Sequence, residues 1–288
     1  MLGINTNAPS LGAQMNLSKS AGSLETSIAR LSSGLRVNSA KDDAAGLAIA
    51  ERMTAQIRGF DVAARNANDG VSLLQVADGA LGKIGDNLQR MRELGVQAKN
   101  GTLNDTDRAN LNREFTELAN EVGRVATGTT FNDNNVFAAA NKTVNLQIGS
   151  GNVASDTLAV NLTDNGAAAG NDLQTTLGGA TQAAIVTAFG GVDTVANATT
   201  ALDTIDTAID DITNLRATTG AGLSRLEQVV SSLETTSSNL SSARGRIMDA
   251  DFAKETANLT RAQILQQAGT AMLAQANQLP NNVLSLLR

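Results

Sequence analysis

Histidine, cysteine, tryptophan and tyrosine are absent from all 288 residues, and phenylalanine occurs only 6 times. Histidine is the commonest general base and metal ligand near neutral pH, and cysteine supplies thiolate nucleophiles, zinc ligands and disulfides. Most catalytic and zinc chemistry is therefore excluded. Carboxylate sites for magnesium or calcium would remain, but the chain shows no D-x-D-x-D-G loop, no Walker-type glycine loop and no isolated carboxylate pair in an apolar setting. The expectation is a protein with no enzymatic activity, no cofactor and no metal. Basic residues are outnumbered, 22 against 28 acidic, for a formal charge of −6. A nucleic-acid binder would need a concentrated basic face, so no nucleic-acid partner is expected. Residues 1–19 lack the basic start and apolar run of a cleavable secretory signal, so an extracellular destination would require another export route.

Proline is scarce as well. Pro9 and Pro280 stand near opposite ends, which leaves the interior free to be helical. In residues 44–99 the apolar side chains Met53, Ile57, Phe60, Ala64, Ala67, Val71, Leu74, Leu81 and Leu88 recur in steps of three and four, the spacing of a helix with one buried stripe. After the turn signal Asn100-Gly101, Asp105 and Asp107 open a second helix with Leu111, Phe115, Leu118, Val122 and Val125 in the same rhythm. The two form a predicted helical hairpin. Further on, Ile205, Ile212, Leu226, Leu233, Leu240 and Ile247 share one seven-residue frame, with Ile209, Leu223 and Val230 as companions. Arg216, Thr219, Ser237 and Arg244 interrupt it, and Gly220 and Gly222 are candidates for a break. This seam predicts a coiled-coil-like helix needing partner helices, with a helix in an ordinary globular core as the alternative.

Between the helical halves, Val144, Leu146 and Ile148, then Leu158, Val160 and Leu162, alternate with polar residues as in a β-hairpin. Residues 164–200 are rich in Gly, Ala, Thr and Asn and read as a short exposed excursion, with one short helix near residues 182–189. The predicted fold class is mainly α: long antiparallel helices in a coiled-coil-like bundle, a small β-hairpin region and a short variable outer excursion.

The terminal segments differ from ordinary surface helices. Residues 262–287 carry no charge, but their many Gln and Asn side chains exclude a membrane span. Leu265, Ala268, Met272, Ala276, Leu279, Val283 and Leu286 instead mark an amphipathic helix with an uncharged polar face. Near the N-terminus, Leu11, Met15 and Leu17, then Leu24, Ile28, Leu31 and Leu35, face a largely Ser/Asn/Gln side. Wet faces built largely of Ser, Asn and Gln point to close packing against other copies or to a lined aqueous passage; two helices of the monomer's own core are the alternative. Such segments could remain unfolded in the monomer and order on assembly.

The same residues carry a resemblance. Arg30-Leu-Ser-Ser-Gly-Leu-Arg-Val-Asn-Ser-Ala-Lys-Asp-Asp-Ala-Ala-Gly-Leu-Ala-Ile49 and Arg65-Asn-Ala-Asn-Asp-Gly70 resemble the N-terminal signature of bacterial flagellins. Asp249-Ala-Asp-Phe-Ala-Lys-Glu255 and Ala274-Gln-Ala-Asn-Gln-Leu-Pro-Asn-Asn-Val-Leu-Ser-Leu-Leu-Arg288 are similar to the C-terminal one. Thr219-Gly220 and Ser238-Asn239 depart slightly from the family pattern. The resemblance implies an inner core layer from residues 1–43 and 252–288, an outer helical layer from 44–163, which includes the β-hairpin, and 201–251, and a variable surface region at 164–200. It implies a structural subunit that polymerises with its own copies into an extracellular flagellar filament for swimming. Assembly contacts would include Leu24, Ile28, Leu31, Leu35, Leu265, Met272, Leu279, Val283 and Leu286. Implied partners are an export chaperone, the flagellar type III export apparatus, which needs no cleaved signal, and the filament cap and hook-filament junction proteins. A junction protein is the alternative identity, although its signatures usually diverge in the Ser-Ala-Lys-Asp-Asp-Ala-Ala-Gly and Ala-Gln-Ala-Asn-Gln regions intact here. Finally, Gln89-Arg-Met-Arg-Glu-Leu-Gly-Val-Gln97 resembles the site recognised by the vertebrate innate flagellin receptor, which implies Arg90, Leu94 and Glu114 as contacts.

Overall fold

The computed structural model describes residues 7–137, 143–162 and 181–286, without the side chains of 279–286. Among the described residues the chain forms helices α1 (Ala8–Ser33), α2 (Ala44–Ala98), α3 (Asp105–Gly128), α4 (Gln182–Phe189), α5 (Val195–Met248) and α6 (Phe252–Leu286). Two antiparallel strand pairs accompany them, β1 (Thr130–Phe131) with β2 (Asn134–Asn135) and β3 (Thr143–Gln147) with β4 (Thr157–Asn161). The chain divides into two compact units, residues 58–237 and residues 1–57 with 238–288.

In the unit of residues 58–237, α2 buries Ala67, Leu74, Ala77, Leu81, Ile84, Leu88, Met91 and Ala98, an uninterrupted alternation of three- and four-residue steps once buried Gly70 and Gly95 are included. Phe115, Ala119 and Val122 of α3 and Ala201, Ile205, Ala208, Ile212, Leu215 and Leu226 of α5 complete the core. Each fully buried large apolar side chain contributes about 1.5–3 kcal/mol relative to exposure. Polar pairs at the rim fix α2 and α5 as antiparallel: Arg92 Nε donates to Asp206 at 2.6 Å, Arg216 Nε to Asp78 at 2.9 Å and the Ser237 hydroxyl to Asp61 at 3.2 Å.

The hairpin of α2 and α3 is closed by their ends. The Asn104 side chain accepts the Asp107 N–H at 2.8 Å and caps α3. Buried Arg108 donates to the carbonyls of Ala98, at 3.1 Å, and Asn100, at 3.2 Å, satisfying acceptors that the end of α2 leaves open. The expected strand hairpin is present, with Val144 opposite Val160 and Leu146 opposite Leu158. Leu158, Val160 and Leu162 are buried on the helical core.

Several sequence expectations are revised. The companion row on α5 is Ala201, Ala208, Leu215 and Gly222, one residue away from Ile209, Leu223 and Val230, which pack at its edge. Small residues carry little hydrophobic signal in the sequence. Thr219 does not interrupt the frame; it is buried within it, and its hydroxyl has no hydrogen-bond partner. Nor do Gly220 and Gly222 break the helix, since α5 runs through both. A methyl group at Gly222 would come within 3.1 Å of Leu74, so the glycine permits close approach of α2. The short β1/β2 hairpin was not anticipated; its turn residues Asn132 and Asp133 have φ of 50° and 59°, a conformation that Asn and Asp tolerate best after glycine.

The stretch read as an exposed excursion is partly anchored. Residues 164–180 lie outside the described residues. Beyond them, α4 occupies the predicted positions and buries Ile185 and Phe189, while Val192 N–H donates to the Asn112 side chain at 2.7 Å. Gln182 lies so close to Gly123 of α3 that a methyl there would meet its Cγ at 2.8 Å.

Candidate assembly and recognition surfaces

In the other unit, α1 and α6 lie antiparallel. The Ser27 hydroxyl reaches Glu255 Oε1 at 2.7 Å, Ser10 reaches Asn277 at 2.8 Å and Asn7 reaches the Ala276 carbonyl at 2.9 Å. The facing positions again follow three-four spacing: Ser10, Ala13, Leu17, Ser20, Leu24, Ser27, Leu31 and Gly34 against Glu255, Leu259, Ala262, Gln266, Gly269, Leu273 and Ala276, all buried or half-buried. Leu17 sits over Gly269, where a methyl would meet its Cδ1 at 3.2 Å. This seam is made of small side chains with leucines spaced between them.

The predicted assembly residues divide accordingly. Leu24, Leu31 and Leu35 are half-buried in the chain's own packing. Ile28 is 51%, Leu265 51% and Met272 63% exposed, with Leu11, Met15 and Ile264 also standing in solvent. Leu279, Val283 and Leu286 lie among side chains outside those described. A stripe read from apolar spacing alone thus mixes seam and outward positions on α1, whereas on α6 its described large members face outward.

The residues between the long helices form a tied junction. Gly34, at φ 72°, ends α1, and its N–H donates to the Arg30 carbonyl at 2.9 Å. Leu35 pairs with Asp249, Arg36 N–H donates to the Met248 carbonyl at 2.6 Å and Ala250 N–H to the Gly34 carbonyl at 2.9 Å. Carboxylates organise both strands of this crossing. Asp42 accepts from Asn38 N–H, Ser39 N–H and the Ser39 hydroxyl at 3.0–3.2 Å. Those bonds, the Ser39 hydroxyl foremost, hold its carboxyl below the ordinary aspartate value of 3.8. Asp43 accepts Gly46 N–H at 2.8 Å at the start of α2, and Asp251 accepts Ala253 and Lys254 N–H at the start of α6. The signature segments are therefore joints whose polar side chains saturate backbone donors.

On the helical body, Arg90 on α2 donates from Nε and Nη2 to Glu114 Oε1 on α3 at 3.0 and 2.8 Å, and from Nη1 to Glu93 at 2.7 Å. Glu93 and then Glu114 raise the Arg90 pKa further above its usual value, so its charge is fixed at any ordinary pH. All three side chains are exposed. Leu94, expected on the same surface, is 1% exposed and belongs to the core. It supports the helix from beneath and offers no contact area to a partner.

Residues 4–142 match the family model of the bacterial flagellin N-terminal helical region, and residues 202–287 match that of the bacterial flagellin C-terminal helical region. A flagellin of Halalkalibacterium halodurans is 42% identical over 287 residues, covering 99% of each chain. A flagellin of Xenorhabdus nematophila is 43% identical over 314 residues, again covering 99% of each. Among solved structures, Bacillus cereus flagellin is 32% identical, with a TM-score of 0.48 over 59% of this chain and 88% of that one. Among the described residues no helix is long and apolar enough to cross a membrane.

Proposed function

The chain belongs to the bacterial flagellin family, and from that premise we propose that α1 and α6 supply the surfaces through which copies polymerise into the flagellar filament after export as unfolded chains. One observation carries this reading: a helix pair with a small-residue seam turns Ile28, Leu265 and Met272 outward instead of enclosing them. Large apolar side chains on an otherwise charge-poor face favour burial against another surface, and a head-to-tail contact that does not close generates a helical filament. Purified protein, offered sheared filament seeds and followed by sedimentation and negative-stain imaging, should elongate them. The double variant Leu265→Asp/Met272→Asp should not, while keeping the monomer's far-ultraviolet dichroism. Normal elongation by that variant would sink the assigned surface.

A second reading concerns the exposed Arg90–Glu114 pair. It presents a cation and a carboxylate on adjacent helices, where the vertebrate innate receptor would engage released monomers. Arg90→Ala/Glu114→Ala should lower receptor signalling sharply with little change in melting temperature, because exposed ion pairs add little stability. Undiminished signalling by the double variant would remove this assignment. Since Leu94 is buried, its truncation should instead destabilise the monomer.

A further inference from the structure

The helix pair α1/α6 carries six charged side chains, Lys19, Glu25, Arg30, Lys254, Glu255 and Arg261. Lys19, Arg30 and Arg261 line one cavity of about 400 Å³ between the two helices. The single carboxylate there, Glu255, accepts the Ser27 hydroxyl at 2.7 Å and stands 4.0 Å from Arg30 Nη1. Arg30 Nε is buried with no hydrogen-bond partner, and Arg261 donates to the neutral amide of Asn258 at 3.1 Å. Three cations against one anion leave an excess of two positive charges, with the Ser20, Ser23 and Thr26 hydroxyls beside them. Covering such a cavity with an apolar surface would strand uncompensated charge, so its occupant should bring a carboxylate.

The same helix pair has one exposed carboxylate, Glu25. At about 100° per helical residue, Lys19, Ser23, Thr26 and Arg30 share one face of α1, and Glu25 lies on the opposite side. That side also carries the exposed Ile28, one turn away. Glu25 therefore faces away from its own cavity while standing beside apolar surface that needs covering. We propose that the cavity lined by Lys19, Arg30 and Arg261 receives the Glu25 carboxylate of a second copy of the chain, which makes α1/α6 a knob on one side and a socket on the other. Knob and socket on opposite sides give a heterologous contact, the kind that propagates without closing. The guanidinium groups suit a carboxylate because they offer paired donors in one plane. The proposal rests on the assembly reading above and names its charged contact.

The test is a charge swap in the full-length chain, read as the elongation rate of sheared seeds of the same variant. Glu25→Arg and Arg261→Glu should each slow elongation about tenfold or more, with far-ultraviolet dichroism unchanged. The double variant Glu25→Arg/Arg261→Glu should return to within about threefold of wild type, because the pair is restored in mirror image. Should either reversal unfold the monomer, Glu25→Gln and Lys19→Gln take its place and should each slow elongation. Single variants at the wild-type rate, or a double variant whose loss is the product of the single losses, would overturn the proposal. Wild-type protein that elongates no seeds would instead sink the assembly reading itself.

Discussion

The two units share three-four spacing and fill it differently. In residues 58–237 the seam alternates Ala and Gly with fully buried Leu, Ile and Met, and Phe115, Phe137 and Phe189 are fully enclosed. In the pair α1/α6 the buried positions among the described side chains are Ser10, Ser27, Glu255, Ala262 and Ala276, with the leucines between them only half covered. Hydrophobic stabilisation follows apolar area removed from water, about 25 cal/mol per Å². Half-covered leucines between Ser, Ala and Gly gain little by that measure, whereas fully buried Leu, Ile and Phe sustain a helical body. The comparison shows how one periodicity serves two ends: enclosure within the chain, and close helix approach that leaves large apolar groups outward for other copies.

The comparison breaks most readily through core truncation. Phe115→Ala should cost about 3–5 kcal/mol in urea unfolding, since it deletes a fully buried ring. Leu24→Ala, in the half-buried seam of the other unit, should cost well under half as much in the monomer. Equal losses would mean that α1/α6 is as well packed as the body. The next effect in size has the opposite sign. Thr219→Val should stabilise the chain by about 1 kcal/mol, because the present hydroxyl is buried without a partner. A variant that melts lower would place an unseen polar partner there.

Much of this contrast is legible in the sequence. Leu74, Leu81, Leu88, Ile205, Ile212 and Leu226 announce the body's core by spacing alone, and the alternation around Leu158 announces its hairpin. What escaped reading shares one cause, which is that small and polar seam residues have no hydrophobic signature. Gly222, Ala208 and Ser27 are recognisable as seam positions only once a partner helix is seen against them. Thr219 seemed an interruption for the same reason. On α1 the candidate assembly residues could not be sorted into seam and surface, because Leu24 and Ile28 are equally apolar and four residues apart. The resemblance puts Leu94 on a recognition surface, and its spacing from Leu74, Leu81 and Leu88 does not by itself separate core from edge.

The smallest predicted effect belongs to the junction. With the folded pKa of Asp42 below 3.8, its contribution to loop order is complete above that pH and is lost as pH falls through the lowered folded value. Amide resonances of Asn38 and Ser39 should therefore report a carboxylate titrating below 3.8, and Asp42→Asn should abolish that response. A midpoint above 3.8 would contradict the bonding described.

Hydrogen exchange followed by mass spectrometry, on monomer and on polymer, tests the central claim most directly. In the monomer, amides of α2, α3 and the core-facing part of α5 should be strongly protected, and those of α1 and α6 should exchange faster by at least about a hundredfold. On polymerisation, protection in α1 and α6 should rise to that of the body, which itself should change little. Terminal helices as protected in the monomer as α2, or still unprotected in the polymer, would contradict the account.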